Sequence, residues 1–240
     1  METGQQDKDD TGLVSLLWRA AHNMRAPLVA MITMLGVVRR EMLGPLNEEQ
    51  QEYLRRVERR AHSIARMIDK LMLLARSGAE AKPNDHEPVD FVFLAGRLGR
   101  TFEEEAGERG LDLRLSVPPT LPAVQGDRVL LEQLLENLVS NALKYTPAGS
   151  VEVRFSVTPE HALKIEVIDT GIGIPKEAEP NLLTEFYRAP NARQLEESGD
   201  GLGLALVAST VKRHGGTLEW RSAGEKGTIF TVTLPVDEES

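Results

Sequence analysis

Apolar residues in the first third of the chain recur at helical spacing. From position 13 to position 42 they are three or four residues apart at every step, and the run stops before the Gly-Pro pair at 44–45. A second run, over 54–75, alternates regularly between steps of three and four. Asn47 precedes it as a predicted N-cap, followed by two glutamates. Residues 13–76 are therefore predicted to form two long helices joined as an antiparallel hairpin.

A helical hairpin of this kind leaves part of its apolar seam uncovered. Pairing with a second copy into a four-helix bundle covers that seam, so we predict a homodimer formed through the hairpin. The alternative is that the hairpin packs on the C-terminal part of its own chain. Residues 1–12 are polar and acidic, unlike a signal peptide, and are predicted to be an N-terminal tail.

The pattern changes after the hairpin. Residues 77–88 are polar, contain two prolines and are predicted to be a linker. Beyond them, helical spacing alternates with strand-like alternation. The predicted helices are 91–109, 127–145 and 202–214, and the predicted strands are 111–117, 151–157, 163–168, 217–221 and 227–234. This order predicts a two-layer α/β sandwich over 89–236, followed by an acidic tail at 237–240, and an α+β fold class for the whole chain.

Composition narrows the classes of function. A content of 41% hydrophobic and 27% charged residues is typical of a soluble globular protein, and a net charge of −9 argues against nucleic-acid binding. The absence of cysteine excludes disulfides and thiolate metal sites, and it suits the cytoplasm. The longest uncharged apolar run, 26–38, is shorter than the roughly 20 residues of a membrane helix. We therefore expect no membrane segment in this chain and a cytoplasmic location, alone or as part of a longer sensor protein.

Asp169 ends an apolar strand and is followed by a turn that contains Gly171 and Gly173. A carboxylate at the edge of a core needs a hydrogen-bond donor. The amino group of adenine and a backbone amide of the Gly171 turn both fit, and the sequence leaves both open. The two glycines permit unusual backbone angles and close approach of a ligand.

A second glycine-rich loop, with Gly199, Gly201 and Gly203, leads into the helix predicted to begin near Leu202. The free N–H groups and the positive dipole end of a helix N-terminus suit phosphate oxygens. A plain glycine-rich turn is the alternative interpretation.

Asn137 and Asn141 lie four residues apart on one face of the helix predicted over 127–145, with Lys144 just beyond them. Amide oxygens are ligands suited to Mg²⁺, and a lysine can neutralise a phosphate. A solvated polar face is the alternative, but the neighbouring leucines indicate a largely packed helix. In this fixed order the three motifs predict a site for ATP with Mg²⁺.

These segments resemble the N, G1 and G2 boxes of the sensor histidine kinases, whose ATP-binding domain has the Bergerat fold, and Phe-Tyr-Arg at 186–188 resembles the end of that family's F box. The resemblance implies that Asn141 is the Mg²⁺ ligand, with Asn137 beside it, and that Asp169 recognises the adenine amine. It also implies a mobile ATP lid over 180–198. The other residues that the resemblance places at the ATP site are Lys144, Tyr145, Gly171, Gly173, Arg188, Gly199, Gly201, Leu202 and Gly203.

The segment 22–28, His-Asn-Met-Arg-Ala-Pro-Leu, resembles the family's H box, which carries the phosphoacceptor histidine. His22 lies between apolar positions of its helix, so it is predicted to face solvent. Pro27 cannot donate to the carbonyl of Asn23 and crowds that turn, which predicts a bend beside the histidine. The resemblance implies catalytic roles for His22, Asn23 and Arg25.

The chain departs from the family pattern at four positions. Asn23 stands where the family has an acid, and an amide cannot accept a proton, so autophosphorylation is expected to be slow or to rely on another base. Ala26 replaces the residue that positions water for dephosphorylation of a partner. In the F box, Leu183 replaces a phenylalanine and Glu185 replaces a basic residue.

The leading hypothesis is a dimeric histidine kinase core that transfers the γ-phosphoryl group of ATP to His22 and then to an aspartate of a response-regulator receiver domain. The alternative is a kinase-like nucleotide-binding scaffold with weak or lost phosphotransfer, motivated by Asn23, Ala26 and Glu185. A third hypothesis, a Bergerat-fold ATPase or protein serine kinase, would leave the H-box segment 22–28 without a role.

Overall fold

The computed structural model describes residues 3–78, 86–195, 199–224 and 226–236, with the side chains of the first helix described from residue 20 onward. The chain divides into two compact units, Met1–Ala79 and Glu80–Ser240. The helices are α1 (Thr3–Arg39), α2 (Glu48–Gly78), α3 (Phe91–Glu108), α4 (Arg128–Lys144), α5 (Pro190–Leu195) and α6 (Gly203–Arg213), with a 3₁₀ turn at Glu179–Asn181. The strands are β1 (Glu87–Val89), β2 (Asp112–Ser116), β3 (Val124–Gly126), β4 (Ser150–Val157), β5 (Leu163–Asp169), β6 (Thr217–Ser222) and β7 (Thr228–Leu234).

Helix α1 differs from its prediction at both ends. It was predicted to begin at residue 13 but begins at Thr3, within the segment predicted to be an N-terminal tail. These residues contain no proline, and extending an existing helix adds one hydrogen bond for each residue that is ordered. The helix ends at Arg39, before the apolar run does, and Glu41 already has a left-handed φ of 56°.

Helix α2 begins as predicted, with Asn47 as its N-cap. The Asn47 side chain accepts a hydrogen bond from the Gln50 amide at 2.8 Å, and the Gln50 side chain accepts one from the Asn47 amide at 3.0 Å. This reciprocal pair is a capping box. The helix continues to Gly78, beyond the predicted boundary at 76. Of the predicted linker over 77–88, residues 79–85 lie outside the described part of the chain, as does the acidic tail predicted at 237–240.

The apolar seam of the hairpin consists of two stripes on each helix. One stripe is buried between α1 and α2, with Ala21, Leu28, Ala61 and Ile68 at its centre. The other stripe is about half exposed, and its members recur every seven residues on each helix: Met24, Met31, Val57 and Ile64. A heptad stripe of apolar residues that its own hairpin does not cover is typical of helices that pack in a bundle.

The second unit is a five-stranded sheet with the strand order β2-β4-β5-β7-β6. Neighbouring strands are antiparallel except β2 and β4, which are parallel. Helices α3, α4 and α6 pack on the sheet, which gives the predicted two-layer arrangement. A separate antiparallel pair, β1 with β3, was not predicted, because each strand has only three residues.

The core of the second unit forms because the inward face of the sheet and the facing side of α4 are both apolar. Alternate residues of β5 are buried, ending at Asp169, and the facing side of α4 is a row of leucines. Asp127 caps α4 as predicted, since its side chain accepts hydrogen bonds from the amides of Val129 and Leu130. The period-two pattern of β5 therefore carries Asp169 into the apolar layer between sheet and helices.

One helix segment among the described residues, Ala20–Arg39, has the length and the mean hydropathy, 1.2, of a membrane-spanning helix. Core helices of soluble proteins and signal sequences have the same properties, so the segment is weak evidence for a membrane span.

Candidate functional site

Asp169 is the last residue of β5, and its side chain points into the core, where the residue is only 6% exposed. Its Oδ1 accepts hydrogen bonds from the amides of Gly171, at 2.9 Å, and Thr228, at 3.1 Å. Burial raises the pKa of this carboxyl to about 6, although the two amides oppose the rise. The Gly171 amide is therefore one partner, and both hydrogen bonds to the carboxyl from described residues fall on Oδ1, leaving Oδ2 for another donor.

The turn after Asp169 lies against the C-terminal end of α4. A Cβ atom at Gly171 would overlap the carbonyl oxygen of Tyr145, and the Ile172 amide donates to that same oxygen at 3.0 Å. Gly173 has a φ of +68°, and its carbonyl accepts a hydrogen bond from the side chain of Asn191 at 3.0 Å. These contacts bring Asp169 next to the segment that contains Lys144 and Tyr145.

Asn137 and Asn141 lie against the first residue of α6. A Cβ at Gly203 would be 3.1 Å from Asn137 Oδ1 and 3.7 Å from Asn141 Nδ2. Asn137 is 5% exposed, and no described residue accepts a hydrogen bond from its buried Nδ2. An unsatisfied buried donor costs about 1–3 kcal/mol, and such groups in native proteins often mark functional positions.

The loop before α6 is tied to the end of the predicted F box. Gly201 has a φ of +70°, its carbonyl accepts a hydrogen bond from the Phe186 amide at 2.9 Å, and a Cβ there would be 2.6 Å from Phe186 C. A Cβ at Gly199 would be 3.1 Å from the Arg188 guanidinium carbon. The buried Leu202 is the N-cap of α6, and its amide donates to the side chain of Asp200 at 3.0 Å. The first amides of α6 are therefore presented between the asparagines and the Arg188 segment.

Most of the residues that the sequence assigned to the ATP site thus lie along one continuous set of contacts in the second unit, and Lys144 is the last residue of α4, next to Tyr145. Tyr145 donates its amide to the Asn141 carbonyl at 3.0 Å, so the Asp169 turn, the end of α4 and the start of α6 form one edge of the sandwich. The predicted lid over 180–198 contains a 3₁₀ turn and α5, and residues 196–198 lie outside the described part.

In the first unit, His22 and Asn23 are exposed on α1, as predicted for His22. The helix continues through Pro27. Arg25 forms an ion pair with Asp69 of α2, with 3.2 Å between Nε and Oδ1. Sequence reasoning did not identify Asp69, because no local pattern distinguishes it from the other charges of α2.

Sequence reasoning also missed Thr228 and Asn191, which contact site residues from outside the motifs, and the buried His214, which accepts a hydrogen bond from the Asp127 amide at the start of α4. Thr228 reaches Asp169 only through strand pairing, and Asn191 reaches Gly173 from the lid segment. The Gly-Gly pair that follows His214 is the one sequence signal that could have drawn attention to that histidine, because such a pair ends a helix at a defined point.

Two family models match this chain in succession. Residues 16–80 match the His Kinase A (phospho-acceptor) domain, which corresponds to the hairpin. Residues 126–238 match the histidine kinase-, DNA gyrase B-, and HSP90-like ATPase family, which corresponds to most of the second unit.

Curated relatives extend over nearly the whole chain. The circadian input-output histidine kinase CikA of Synechococcus elongatus is 33% identical over 218 residues, 90% of this chain and 29% of that protein. The sensor histidine kinase CusS of Escherichia coli is 31% identical over 221 residues, 90% of this chain and 44% of that protein. The chain thus spans less than half the length of these two relatives.

Solved structures are similar to this chain as well. Full-length ShkA in complex with AMPPNP has a TM-score of 0.74 and 27% identity, covering 92% of this chain and 45% of ShkA. The mycobacterial sensor histidine kinase MprB has a TM-score of 0.53 and 30% identity, covering 62% of this chain and 97% of that structure. From the two family models in this order and the relatives that match 90% of the chain, the chain belongs to the sensor histidine kinases and carries their catalytic core.

Proposed function

We propose that this chain acts as an ATP-dependent protein histidine kinase of a two-component signalling system. The observation that carries the proposal is the contact of Gly203, at the start of α6, with Asn137 and Asn141 of α4. It puts amide oxygens that suit a hard cation beside helix amides that suit phosphate. The hairpin, residues 13–76, and the sandwich, 89–236, are the two functional parts.

The second unit binds ATP along the edge described above. Asp169 accepts a hydrogen bond from the adenine amino group, while Lys144 and Tyr145 line the pocket. Gly199, Gly201 and Arg188 lie on the phosphate side. The AMPPNP in the structure of ShkA, which this chain resembles over both units, supports this assignment.

The residues present also fit Mg²⁺. No group of three or more His, Cys, Asp or Glu side chains that could hold a metal ion occurs within the described ranges. Mg²⁺ usually keeps several waters and binds through one or two protein oxygens together with substrate phosphates, so it needs no such group. Asn141, with Asn137 beside it, would hold the ion, which when bound offsets charge on the phosphates.

His22 is the nucleophile. A lone pair on one ring nitrogen forms a bond to the γ-phosphorus, while the bond from that phosphorus to the bridging oxygen breaks and ADP leaves. The proton on the other ring nitrogen must be lost, and Asn23 can orient that N–H but cannot take the proton. The phosphoryl group then passes to a receiver aspartate, as the N–P bond breaks and an O–P bond forms.

The exposed apolar stripe of the hairpin supports a homodimer in which two hairpins form a four-helix bundle. Because ATP and the proposed receiver partner are cytoplasmic, we expect the catalytic core to lie in the cytoplasm. A scaffold without phosphotransfer is not favoured, because the relatives that match both units are named as kinases. Asn23 bears on the rate of autophosphorylation, because an amide cannot accept the histidine proton. Ala26 replaces the residue that positions water, which argues against phosphatase activity of the family type.

Incubation with γ-labelled ATP and Mg²⁺ tests the proposal. We expect label that is lost in acid and retained in alkali, present in the wild type and absent from His22→Gln. His62→Gln is the matched control, because His62 is an exposed histidine on the other helix of the same hairpin. Label that persists in His22→Gln, or a wild type that acquires none, would refute the assignment.

A further inference from the structure

A buried histidine joins the two helices that carry the phosphate side of the site. His214 is the C-cap of α6 and is 6% exposed. Its Nε2 accepts a hydrogen bond from the Asp127 amide at 3.0 Å, and its Nδ1 lies 2.7 Å from the Thr210 carbonyl oxygen. An amide donates to Nε2, so the ring is neutral and its single proton sits on Nδ1, which donates to Thr210.

Strand β3 closes over this ring. A Cβ at Gly126 would overlap the imidazole of His214, so the backbone of β3 lies directly against it. Asp127, the next residue, caps α4 through its side chain and donates its own amide to the histidine. His214 therefore holds the residue from which α4 starts.

The helices α4 and α6 pack antiparallel, and one contact marks each end of the length over which they pack. At one end His214 contacts Asp127, and at the other end Gly203 contacts Asn137. The spans between these points, 127–137 on α4 and 203–214 on α6, are roughly 15 and 16 Å long at about 1.5 Å per residue. A shift of α6 along α4 would therefore disturb both contacts at once.

We propose that His214 is a positioning residue for nucleotide binding: in its neutral form it fixes the position of α6 along α4 and thereby holds the glycine loop against Asn137 and Asn141. This inference rests on the ATP site proposed above. Its consequence is that protonation of one histidine, at the opposite end of α6 from the loop, weakens nucleotide binding.

The neutral form is required because a proton on Nε2 would oppose the N–H of Asp127, donor against donor. The charged and titratable groups near the ring are Arg213 on α6, Asp127 at the start of α4, and His86 before β1, whose ring centre is 6.4 Å away. Burial lowers the pKa of His214, and Arg213 and His86 lower it further, against the opposing effects of the Thr210 carbonyl and Asp127. The ring therefore stays neutral at neutral pH.

Two substitutions of His214 test its hydrogen bonds to Thr210 and Asp127 separately. His214→Asn keeps a donor near the Thr210 carbonyl but cannot reach Asp127, whereas His214→Gln can place its carbonyl oxygen at the Asp127 amide. The matched control is His161→Asn, at an exposed histidine with a φ of 58°, a backbone conformation that asparagine tolerates.

Calorimetric titration of the full chain with AMPPNP and Mg²⁺ at pH 7.5 should show binding weakened about tenfold in His214→Asn, the equivalent of one buried hydrogen bond. His214→Gln and His161→Asn should stay within about threefold of the wild type. A His214→Asn protein with a lower melting temperature but wild-type affinity would overturn the positioning role. A wild type that binds no AMPPNP would overturn the ATP site as well.

A second measurement needs no variant. If protonation of His214 weakens nucleotide binding, then bound nucleotide must raise the acid dissociation constant of His214 by the same factor, and thereby lower its pKa. NMR titration of the histidine side chains in the wild type, with and without AMPPNP and Mg²⁺, should show this shift together with the Nδ1–H tautomer. An Nε2–H tautomer, or a pKa that nucleotide leaves unchanged, would contradict the proposal.

Discussion

Tyr145 and Gly171 meet backbone to backbone at the end of α4. The carbonyl oxygen of Tyr145 accepts a hydrogen bond from the Ile172 amide at 3.0 Å, and a Cβ at position 171 would overlap that oxygen. Gly171 does not have a positive φ, so packing rather than backbone conformation requires a glycine there. Through this contact the helix that carries the asparagines sets the position of the turn that follows Asp169.

Gly171→Ala should therefore damage the site. The added methyl group must displace either the turn or the Tyr145 carbonyl, and we expect AMPPNP affinity to fall at least about tenfold and the melting temperature to fall. Gly96→Ala is the control, because a Cβ at Gly96 on α3 meets nothing within 4 Å. Alanine within a helix adds about 0.5–1 kcal/mol of stability relative to glycine. Unchanged affinity in Gly171→Ala would contradict the packing argument.

The ionised carboxylate of Asp169 should lower the free energy of unfolding and should strengthen nucleotide binding. Its folded pKa of about 6 lies above the unfolded value of 3.8, so its stabilising contribution is complete below 3.8 and is lost as the pH rises through 6. Asp169→Asn removes this titration. Between pH 4.5 and pH 8 the wild type should lose about 2 kcal/mol of unfolding free energy relative to Asp169→Asn, as measured by urea denaturation.

The same variant should bind AMPPNP roughly tenfold or more weakly at pH 7.5, since hydrogen bonds to charged groups contribute about 1.5–3 kcal/mol. Two results would count against the assigned role of Asp169. One is a stability difference between the proteins that does not change with pH, and the other is equal affinity for the nucleotide.

Restoring an acid beside the phosphoacceptor should speed the chemistry. Asn23→Glu supplies a carboxylate that can accept the imidazole proton, and general-base assistance typically contributes about 10²–10⁴-fold. We expect initial rates of phosphohistidine formation to rise by at least about tenfold. The double variant Asn23→Glu, His22→Gln should acquire no label. A single variant no faster than the wild type would show that another base already does this work.

The exposed apolar stripe of the hairpin should hold two copies together. Ile64 is 51% exposed on α2, so Ile64→Glu should leave the hairpin folded and convert a dimer to a monomer in sedimentation analysis. Ser63→Glu, at the neighbouring exposed position, should remain dimeric. The dimer interface is misplaced if Ile64→Glu still sediments as a dimer, and a monomeric wild type would rule the dimer out.

Much of the fold could be predicted because its signals are local. Asn47 and Asp127 were identified as helix caps from their positions before apolar periodic segments, and both cap as predicted. The strands predicted at 151–157 and 163–168 are neighbours in the sheet, an arrangement that their short separation along the chain favours. By contrast, the short strands β1 and β3 carry too few residues to show a period, and the N-terminal extension of α1 has no apolar period to mark it.

The sequence by itself determined the longer helices, most of the strands and the family motifs, because backbone hydrogen bonding and side-chain periodicity act over a few residues. Only the tertiary structure decided which of these groups meet. Asp169 meets the amide of Thr228 across 59 positions, and Asp127 meets His214 across 87. Such contacts depend on strand register and helix packing over the whole core, and no short segment of sequence contains either.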